Sequence, residues 1–244
     1  MQLTNTEKNR NFAAITWRDN QPYSTHFDDV YFSSDDGLAE TDFVFLQGND
    51  LQNRWQTLPS KTFTIVETGF GTGLNFLSAV QLWLTTAPAN AKLHFVSVEK
   101  YPLTLQEITQ ALQLWPQLNA VSQPFLAHYA KLLQTAQPIE LFNNRVAITL
   151  LLGDANEQLS QLHIKMDAWF LDGFAPSKNP DMWQPALFAQ MARLSAPKST
   201  FATFTSAGDV RRGLIAAGFA VQKRAGFGKK REMLHGQFAG LPHG

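Results

Sequence analysis

Seven residues decide the fold of this chain: Glu67-Thr68-Gly69-Phe70-Gly71-Thr72-Gly73. Residues 62–66, just before them, are β-branched and apolar, which is typical of a buried parallel strand. Residues 74–84, just after them, carry apolar side chains at helical spacing. Three alternating glycines allow a sharp turn whose backbone lies close against a ligand, in front of a helix N-terminus. The stretch therefore predicts a ligand-binding strand–turn–helix unit, with a turn that holds no ligand as the alternative.

Composition limits the classes of protein that remain. The chain has 244 residues, enough for one large α/β domain or two small ones. Its formal net charge is zero, so a site for a polyanion must be a local patch. The absence of cysteine excludes disulfides, thiolate catalysis and cysteine-ligated zinc. No apolar run approaches the length of a membrane span, and the polar residues 1–10 do not resemble a signal peptide. We expect a soluble, cytoplasmic protein without membrane contact.

From residue 62 onward, strands and helices alternate, which predicts a parallel sheet with helices on both faces. Helices are expected over 74–84, 103–115 and 207–217, the last of which ends at Gly218. Segment 116–144 contains two prolines and is expected to form helix and loops. The predicted strands are residues 62–66, 92–98, 145–152, 168–171, 199–205, 219–224 and 231–238, with the last two forming a hairpin around residues 226–228.

The first 60 residues differ from the rest. Residues 27–32 and 42–46 read as short strands on either side of the acidic turn Asp35-Asp36-Gly37. We expect a β-rich N-terminal extension, residues 1–60, that packs over the ligand side of a catalytic domain of residues 61–244. A purely structural hairpin is an equally good interpretation for most of the extension.

The glycine spacing separates two families of nucleotide-binding sheets. A dinucleotide fingerprint needs its third glycine at position 74, which is Leu74. The stretch instead resembles motif I of class I S-adenosylmethionine-dependent methyltransferases, in which an acid precedes Gly-x-Gly-x-Gly. This cofactor carries an amino group and a sulfonium cation, which suit a carboxylate. The resemblance implies a Rossmann-like, seven-stranded α/β sheet.

Four acids follow four successive predicted strands: Glu67, Glu99, Asp154 and Asp172. Ligands of open parallel sheets bind outside the carboxyl ends of the strands. A carboxylate at Glu99 can accept both ribose hydroxyls of a nucleoside. Asp154 stands where adenine usually binds, but it also suits the N-cap of a helix beginning at Ala155, and both uses are compatible.

The loop Asp172-Gly173-Phe174-Ala175-Pro176 is the second strong signal. In methyltransferases that modify amino groups, the loop after the fourth strand places a carboxylate or amide and an aromatic ring beside the departing methyl. Asp172 and Phe174 supply these groups here, and Gly173 permits close approach of the backbone. The alternative is a simple strand-end turn that caps a helix near Pro180.

Longer motifs make the resemblance more specific. Residues 27–33, 67–76, 168–183, 202–207, 210–213 and 226–233 together resemble the methyltransferase half of the MnmC family, over about residues 19–234. That family makes 5-methylaminomethyl-2-thiouridine at the wobble position of bacterial tRNAs. Its bifunctional members continue into a flavin-dependent oxidase domain, so we expect the FAD-dependent step outside this chain, in a missing domain or a partner.

The resemblance implies the following residues. Catalytic roles fall to Asp172, which receives the amine, and Phe174. S-adenosylmethionine contacts fall to Tyr31, Glu67, Gly69, Phe70, Gly71, Thr72, Gly73, Asn75, Glu99, Lys100, Asp154, Ala155 and Asp172. No metal is expected, because none of the six histidines has ligand spacing.

Basic residues near the C-terminus favour an RNA partner, the tRNA anticodon stem-loop. Cations contact phosphates, and Phe227 among them could stack on an unpaired base. The alternative is a solvated sheet edge that prevents aggregation. The proposed tRNA-binding residues are Lys178, Arg211, Arg212, Lys223, Arg224, Lys229, Lys230 and Arg231.

The expected reaction is direct attack by the primary amine of 5-aminomethyl-2-thiouridine on the sulfonium methyl. Two alternatives come from other classes. An aminopropyltransferase would share the sheet and the aspartate, but it usually carries further acids that residues 173–175 do not offer. A non-catalytic tRNA-binding module would leave the acids at the strand ends unexplained.

Overall fold

The computed structural model describes residues 11–33 and 36–240. The described strands are β1 Ile15–Arg18, β2 Gln21–Ser24, β3 Asp29–Val30, β4 Thr62–Thr68, β5 Lys92–Glu99, β6 Ile139–Leu141, β7 Val146–Leu152, β8 Met166–Leu171, β9 Ser195–Thr203, β10 Phe219–Ala225 and β11 Glu232–Phe238. The described α-helices are α1 Gly37–Thr41, α2 Leu51–Gln56, α3 Leu74–Thr86, α4 Leu105–Leu112, α5 Asn119–Leu132, α6 Ala155–Ser160, α7 Pro185–Leu194 and α8 Gly208–Ala216.

The central sheet has the order β10-β11-β9-β8-β4-β5-β7-β6. Strands β9, β8, β4, β5 and β7 run parallel, and β10 and β11 form the predicted antiparallel hairpin at one edge. The chain passes from β4 to β5 on one side and later returns to β8 on the other. A topological switch point therefore lies between β4 and β8, where sheets of this kind bind ligands.

All seven predicted strands are present, but the sheet has an eighth. The additional strand, β6, pairs antiparallel with β7 at the opposite edge of the sheet. It is three residues long, and only Ile139 and Leu141 are buried. Because it is so short, its alternation is hard to distinguish from a loop in segment 116–144, which otherwise forms the expected helix.

Helices cover both faces of the sheet. One buried cluster joins α2, α3 and α5 to one face and includes Trp55, Phe76 and Trp83. A second cluster joins α7 and α8 to the other face around Trp169 and Phe188. The buried strands β4 and β7 are apolar along almost their whole length, because each is covered on both sides.

The N-terminal region is only partly β-rich. Strands β1–β3 form a small antiparallel sheet. Only β3, Asp29–Val30, falls within the strand predicted over 27–32, and β1 and β2 lie where no strand was predicted. The strand predicted over 42–46 is wrong, because Asp42–Leu46 forms a π-helical segment that continues α1. Asp36 begins this helical stretch by accepting a hydrogen bond from the Ala39 backbone N–H at 3.0 Å. Asp35, and the segment 1–10 judged not to be a signal peptide, lie outside the described residues.

Residues of the N-terminal region also enter the main core. Val44, Phe45, Leu51 and Trp55 belong to the same buried cluster as β4 and α3. The Arg54 guanidinium donates hydrogen bonds to the Asp167 carbonyl and to Thr200 Oγ1. The division into residues 1–60 and 61–244 stays a prediction. Within residues 11–33 and 36–240, no helix is long and apolar enough to cross a bilayer.

Candidate active site

A cleft of about 440 Å³ opens at the carboxyl ends of the central strands. Its walls come from the N-terminal region, the glycine turn and the segments that follow β5, β7 and β8, and from Phe204 after β9 and Lys230 before β11. Its volume lies within the range of small-molecule sites, and it sits at the topological switch point.

The glycine turn needs its glycines for two separate reasons. Gly69, Gly71 and Gly73 have φ angles of +81°, +53° and +74°, which other residues rarely adopt. A Cβ on Gly69 would lie 2.9 Å from the Cα of Gly173, so the turn meets the loop after β8 backbone to backbone. A Cβ on Gly71 would lie 3.3 Å from the Tyr31 ring. The turn is thus closely fitted to both neighbours.

Glu99 ties the glycine turn to the end of β5. One carboxylate oxygen accepts a hydrogen bond from the Gly71 N–H at 3.0 Å, and the other accepts one from the Tyr101 N–H at 2.9 Å. Burial raises the pKa of Glu99, whereas these backbone donors act in the opposite direction. Glu99 lines the cleft, where the sequence predicts it.

Glu67 lies differently from the prediction. It is fully buried and is not among the residues that line the cleft. Its carboxylate accepts hydrogen bonds from Ser97 Oγ at 2.6 Å and from Asn75 Nδ2 at 2.9 Å. Glu67 pairs with Ser97 inside the β4–β5 ladder. Its side chain therefore lies on one face of the sheet and does not extend past the end of the strand. Burial raises its pKa well above the ordinary value.

Gly73 is the other predicted cofactor contact that does not line the cleft. A Cβ at this position would lie 2.9 Å from the Phe70 ring, which covers it. The remaining predicted contacts all line the cleft: Tyr31, Gly69, Phe70, Gly71, Thr72, Asn75, Glu99, Lys100, Asp154, Ala155 and Asp172.

Asn75 links the buried acid to the acid in the cleft. Its side-chain N–H groups donate to Glu67 at 2.9 Å and to Asp172 Oδ2 at 2.6 Å. Its carbonyl oxygen accepts a hydrogen bond from Thr41 Oγ1 of α1 at 2.8 Å. Every polar atom of this amide is used, so its orientation is fixed.

Asp172 follows β8 and faces the cleft. Its Oδ1 accepts a hydrogen bond from the Gly173 N–H at 2.7 Å, and its Oδ2 accepts the one from Asn75. Burial raises the pKa of Asp172, the two hydrogen bonds and Lys230 oppose the rise, and Glu40 adds to it, which together place the pKa at about 7. An acid with this pKa can hold or release a proton near neutral pH.

The N-terminal region packs on the loop after β8. The Phe174 ring stacks on Phe27 with centroids 4.6 Å apart, and Tyr31 meets it edge-on at 5.3 Å. The Asp29 carboxylate accepts a hydrogen bond from the Ala175 N–H at 3.0 Å. One face of Phe174 is therefore occupied by this chain's own residues.

Asp154 is the N-cap of α6, as the structural alternative predicted. Its Oδ1 accepts a hydrogen bond from the Asn156 N–H at 3.0 Å, and its Oδ2 lies 3.4 Å from Lys100 Nζ. Both Asp154 and Ala155 also line the cleft, so the cap leaves room for a second use.

The proposed tRNA-binding cations have different surroundings. Lys178, Arg212, Lys223 and Lys230 form ion pairs with Asp28, Asp209, Glu232 and Glu40. Arg224 lies over the Phe43 ring, and Phe227 packs near the same ring. Within the described residues, Arg211, Lys229 and Arg231 are exposed and have no ion pair. Lys230 alone of these eight lines the cleft.

Sequence reasoning missed Thr41, Glu40 and Phe204. All three line the cleft, and Thr41 also fixes the side chain of Asn75. The Asp36 cap was the available signal for the helix that carries Glu40 and Thr41. Among the residues described, no group of three His, Asp or Glu side chains could hold a metal ion.

A family model described as S-adenosyl-L-methionine-dependent methyltransferase matches residues 116–239. The chain belongs to this family. The solved structure of MnmC2 from Aquifex aeolicus superposes with a TM-score of 0.71 at 20% identity, covering 100% of this chain and 81% of that one. The predicted class I methyltransferase fold is confirmed.

The resemblance to MnmC is also confirmed. The chain is 56% identical over 226 residues to the "tRNA 5-methylaminomethyl-2-thiouridine biosynthesis bifunctional protein MnmC" of Methylobacillus flagellatus, which covers 93% of this chain and 35% of that protein. It is 57% identical over 231 residues to the protein of the same name from Chromobacterium violaceum, at 94% and 35% coverage. The chain thus spans about a third of the length of these relatives.

Proposed function

We propose that this chain transfers a methyl group from S-adenosylmethionine to the primary amine of 5-aminomethyl-2-thiouridine at the wobble position of tRNA. The observation that carries the proposal is the position of Asp172, a cleft-facing acid where the glycine turn meets the loop after β8. The name of the MnmC relatives supports the substrate.

The cleft suits S-adenosylmethionine. The backbone at Gly71 has a positive φ, which glycine adopts freely, and it leaves a cradle that a Cβ would narrow against Tyr31. Three of the carboxylates that line the same cleft, Glu99, Asp154 and Asp172, suit a ligand with an ammonium, a sulfonium and two ribose hydroxyls. Glu99 takes the ribose, while Asp154 and Ala155 take the adenine.

The other cofactor residues divide into two groups. Tyr31, Gly69, Phe70, Gly71, Thr72, Asn75 and Lys100 line the cleft and serve as contacts. Glu67 and Gly73 act from behind the cleft wall: Glu67 holds Asn75, and Gly73 begins α3.

When bound, S-adenosylmethionine supplies a methyl group already activated by the sulfonium charge. This chain's residues must position the amine and remove its proton. An alkylamine has a pKa near 10.4. An acceptor of pKa about 7, such as Asp172, makes the proton transfer uphill by about 5 kcal/mol, against roughly 9 kcal/mol for an ordinary aspartate. Phe174 stacks on the base with the face that Phe27 leaves free, and positioning supplies further rate.

The tRNA lies across the hairpin edge of the sheet in this proposal. Arg211, Lys229 and Arg231 are available for phosphates, whereas Lys178, Arg212, Lys223 and Lys230 must first release their acidic partners. The bifunctional relatives support a second activity outside this region, which we assign to an FAD-dependent oxidase domain or partner. A tRNA substrate implies work in the cytoplasm.

The test is transfer of a labelled methyl group to tRNA that carries 5-aminomethyl-2-thiouridine. We expect label in 5-methylaminomethyl-2-thiouridine after nuclease digestion, and none on the same tRNA without the aminomethyl group. Binding of S-adenosylmethionine without any transfer to this tRNA would refute the substrate.

A further inference from the structure

Lys230 differs from its neighbours Lys229 and Arg231 because it has an acidic partner in the cleft wall. Its Nζ lies 2.6 Å from Glu40 Oε1 and 4.6 Å from the centroid of the Phe204 ring. All three residues line the cleft. The Glu40 side chain is 12% exposed and that of Lys230 is 46% exposed, so the acid is set into the wall and the lysine reaches it from outside.

Glu40 and Phe204 surround a primary ammonium with the two groups that recognise one. A carboxylate forms a charge-assisted hydrogen bond with it, and an aromatic face attracts its charge. Among the described residues, Lys230 is the partner that neutralises Glu40. The residues that hold the two groups come from α1 and from the segment after β9, so the arrangement is built by the fold and does not arise from neighbours in the sequence.

This ammonium position is close to the reacting acid. Both Glu40 and Lys230 shift the pKa of Asp172, in opposite directions. Thr41, the neighbour of Glu40 in α1, also donates the hydrogen bond that fixes Asn75 against Asp172. A ligand ammonium at Glu40 would therefore stand within electrostatic reach of the proton acceptor.

We propose that Glu40 and Phe204 form the binding site for the substrate's primary ammonium, and that Lys230 occupies this site until tRNA arrives. This inference rests on the proposed function and deepens it. When the substrate ammonium replaces Lys230, one ion pair with Glu40 breaks and an equivalent one forms. The released Lys230 is then free for a phosphate of the same tRNA. The site selects a primary ammonium carried by a polyanion, because only such a ligand satisfies both Glu40 and Lys230.

The test compares the affinities for two tRNAs in the presence of S-adenosylhomocysteine, so that no methyl is transferred. The tRNAs differ only in the aminomethyl group on the wobble 2-thiouridine. The measured quantity is the ratio of their dissociation constants, in which the binding energy of the rest of the tRNA cancels. We expect the parent protein to prefer the aminomethyl tRNA by roughly tenfold to a hundredfold, as for a hydrogen bond to a charged group.

Three variants then separate the roles. Glu40→Gln keeps the shape but loses the charge, and should bring the ratio close to one. Lys230→Met removes the competing ammonium, and should increase the ratio even if both tRNAs bind more weakly. Glu232→Gln breaks the other ion pair of the same hairpin, with Lys223, and should leave the ratio at the parent value. Phe204→Leu, which retains an apolar side chain, should lower the ratio and replaces Glu40→Gln if that variant does not fold.

An unchanged ratio in both Glu40→Gln and Phe204→Leu would overturn the inference, as would an unchanged or smaller ratio in Lys230→Met. Failure of the proposed function looks different. In that case the parent protein would not methylate the aminomethyl tRNA at all. If the parent methylates normally but Glu40→Gln leaves the ratio of dissociation constants unchanged, the proposed ammonium site is wrong and the proposed function still stands.

Discussion

The two walls of the cleft are held in place by different means. The glycine turn is held by its own neighbourhood: Phe70 is buried in the core, and Glu99 of the adjacent strand accepts the Gly71 N–H. The loop after β8 is held by a distant part of the chain. Asp29 bonds to Ala175 across 146 residues, and Phe27 stacks on Phe174. The cofactor side is therefore held mainly by the core and the adjacent strand, although Tyr31 lies against Gly71. The substrate side is held mainly by the N-terminal region.

If this distinction is correct, damage to one wall should leave the other working. The two walls meet where Gly69 lies against Gly173 and where the Thr68 hydroxyl donates a hydrogen bond to the Asp172 carbonyl, and they are also linked through Asn75. A substitution in one wall should therefore change the activity or affinity that belongs to that wall and spare the other.

The largest effect is expected from Gly71→Val. The backbone there has φ +53°, which a β-branched residue does not readily adopt, and the new Cβ would lie 3.3 Å from the Tyr31 ring. We expect binding of S-adenosylmethionine to fall below detection in titration calorimetry while the protein stays folded. The matched control is Gly240→Val, which also has a positive φ but has no atom within 4 Å of the new Cβ. Parent-like affinity in Gly71→Val would disprove the assignment of the cofactor to this turn.

Asp172→Asn should reduce methyl transfer far more than it reduces cofactor binding. We expect single-turnover methyl transfer to fall by roughly two to four decades, as for a positioned proton-transfer group. Affinity for S-adenosylmethionine should stay within a few-fold, because Glu99 and the glycine turn remain. If Phe174→Ala loses the rate and Asp172→Asn does not, the ring and not the carboxylate governs the transfer.

The pH dependence of the parent supplies a second measure of Asp172. The acid must be ionised to accept a proton, and its pKa is raised to about 7. The single-turnover rate should therefore be lost as the pH falls below about 7, and this acidic limb should be absent from the residual rate of Asp172→Asn. A limb near pH 4, the ordinary range of an aspartate, would contradict the raised pKa.

Substitutions in the β10–β11 hairpin should change the affinity for tRNA without affecting either wall of the cleft. Joint replacement of Lys229 and Arg231 by alanine should weaken tRNA binding and reduce the slope of log affinity against log salt by about two, one for each phosphate that is no longer neutralised. Lys61→Ala removes an exposed lysine just before β4, at the end of the strand away from the cleft, and should leave the slope unchanged. A parent-like slope in the double variant would mean that these cations do not contact phosphates and only keep the sheet edge solvated.

The sequence predicted the local features well for a physical reason. Apolar strands, the glycine turn and the hairpin each depend on residues close together in the chain, and periodicity reports them directly. The same patterns predicted the order of strands along the chain. They therefore also predicted that Glu99, Asp154 and Asp172 lie together at the carboxyl ends of the strands.

The features that the sequence did not reveal depend on which way a side chain points from its helix or strand, or on contacts between residues far apart in the chain. The apolar run 42–46 fits a strand or a helix, and only the Asp36 cap distinguishes them. Glu67 lies one residue before the end of β4, so its side chain packs on one face of the sheet and does not line the cleft. The Glu40–Lys230 pair joins residues 190 positions apart, which no local pattern can reveal.

The smallest effect, and the most direct test of the difference between the walls, is expected from Phe27→Ala. Phe27 stacks on Phe174 at 4.6 Å, and an aromatic pair is worth about 0.5–1.5 kcal/mol beyond its buried area. Its loss should lower single-turnover methyl transfer by up to about tenfold, because Phe174 then samples other orientations. Phe238→Ala, which removes a ring that packs on Phe219 at the far edge of the sheet, should not change the rate. Phe27 also lines the cleft, so affinity for S-adenosylmethionine decides the interpretation. A change in this affinity below twofold would mean that Phe27 supports the substrate wall alone. An equal loss of affinity and rate would mean that this region holds both walls, and the distinction between them would fail.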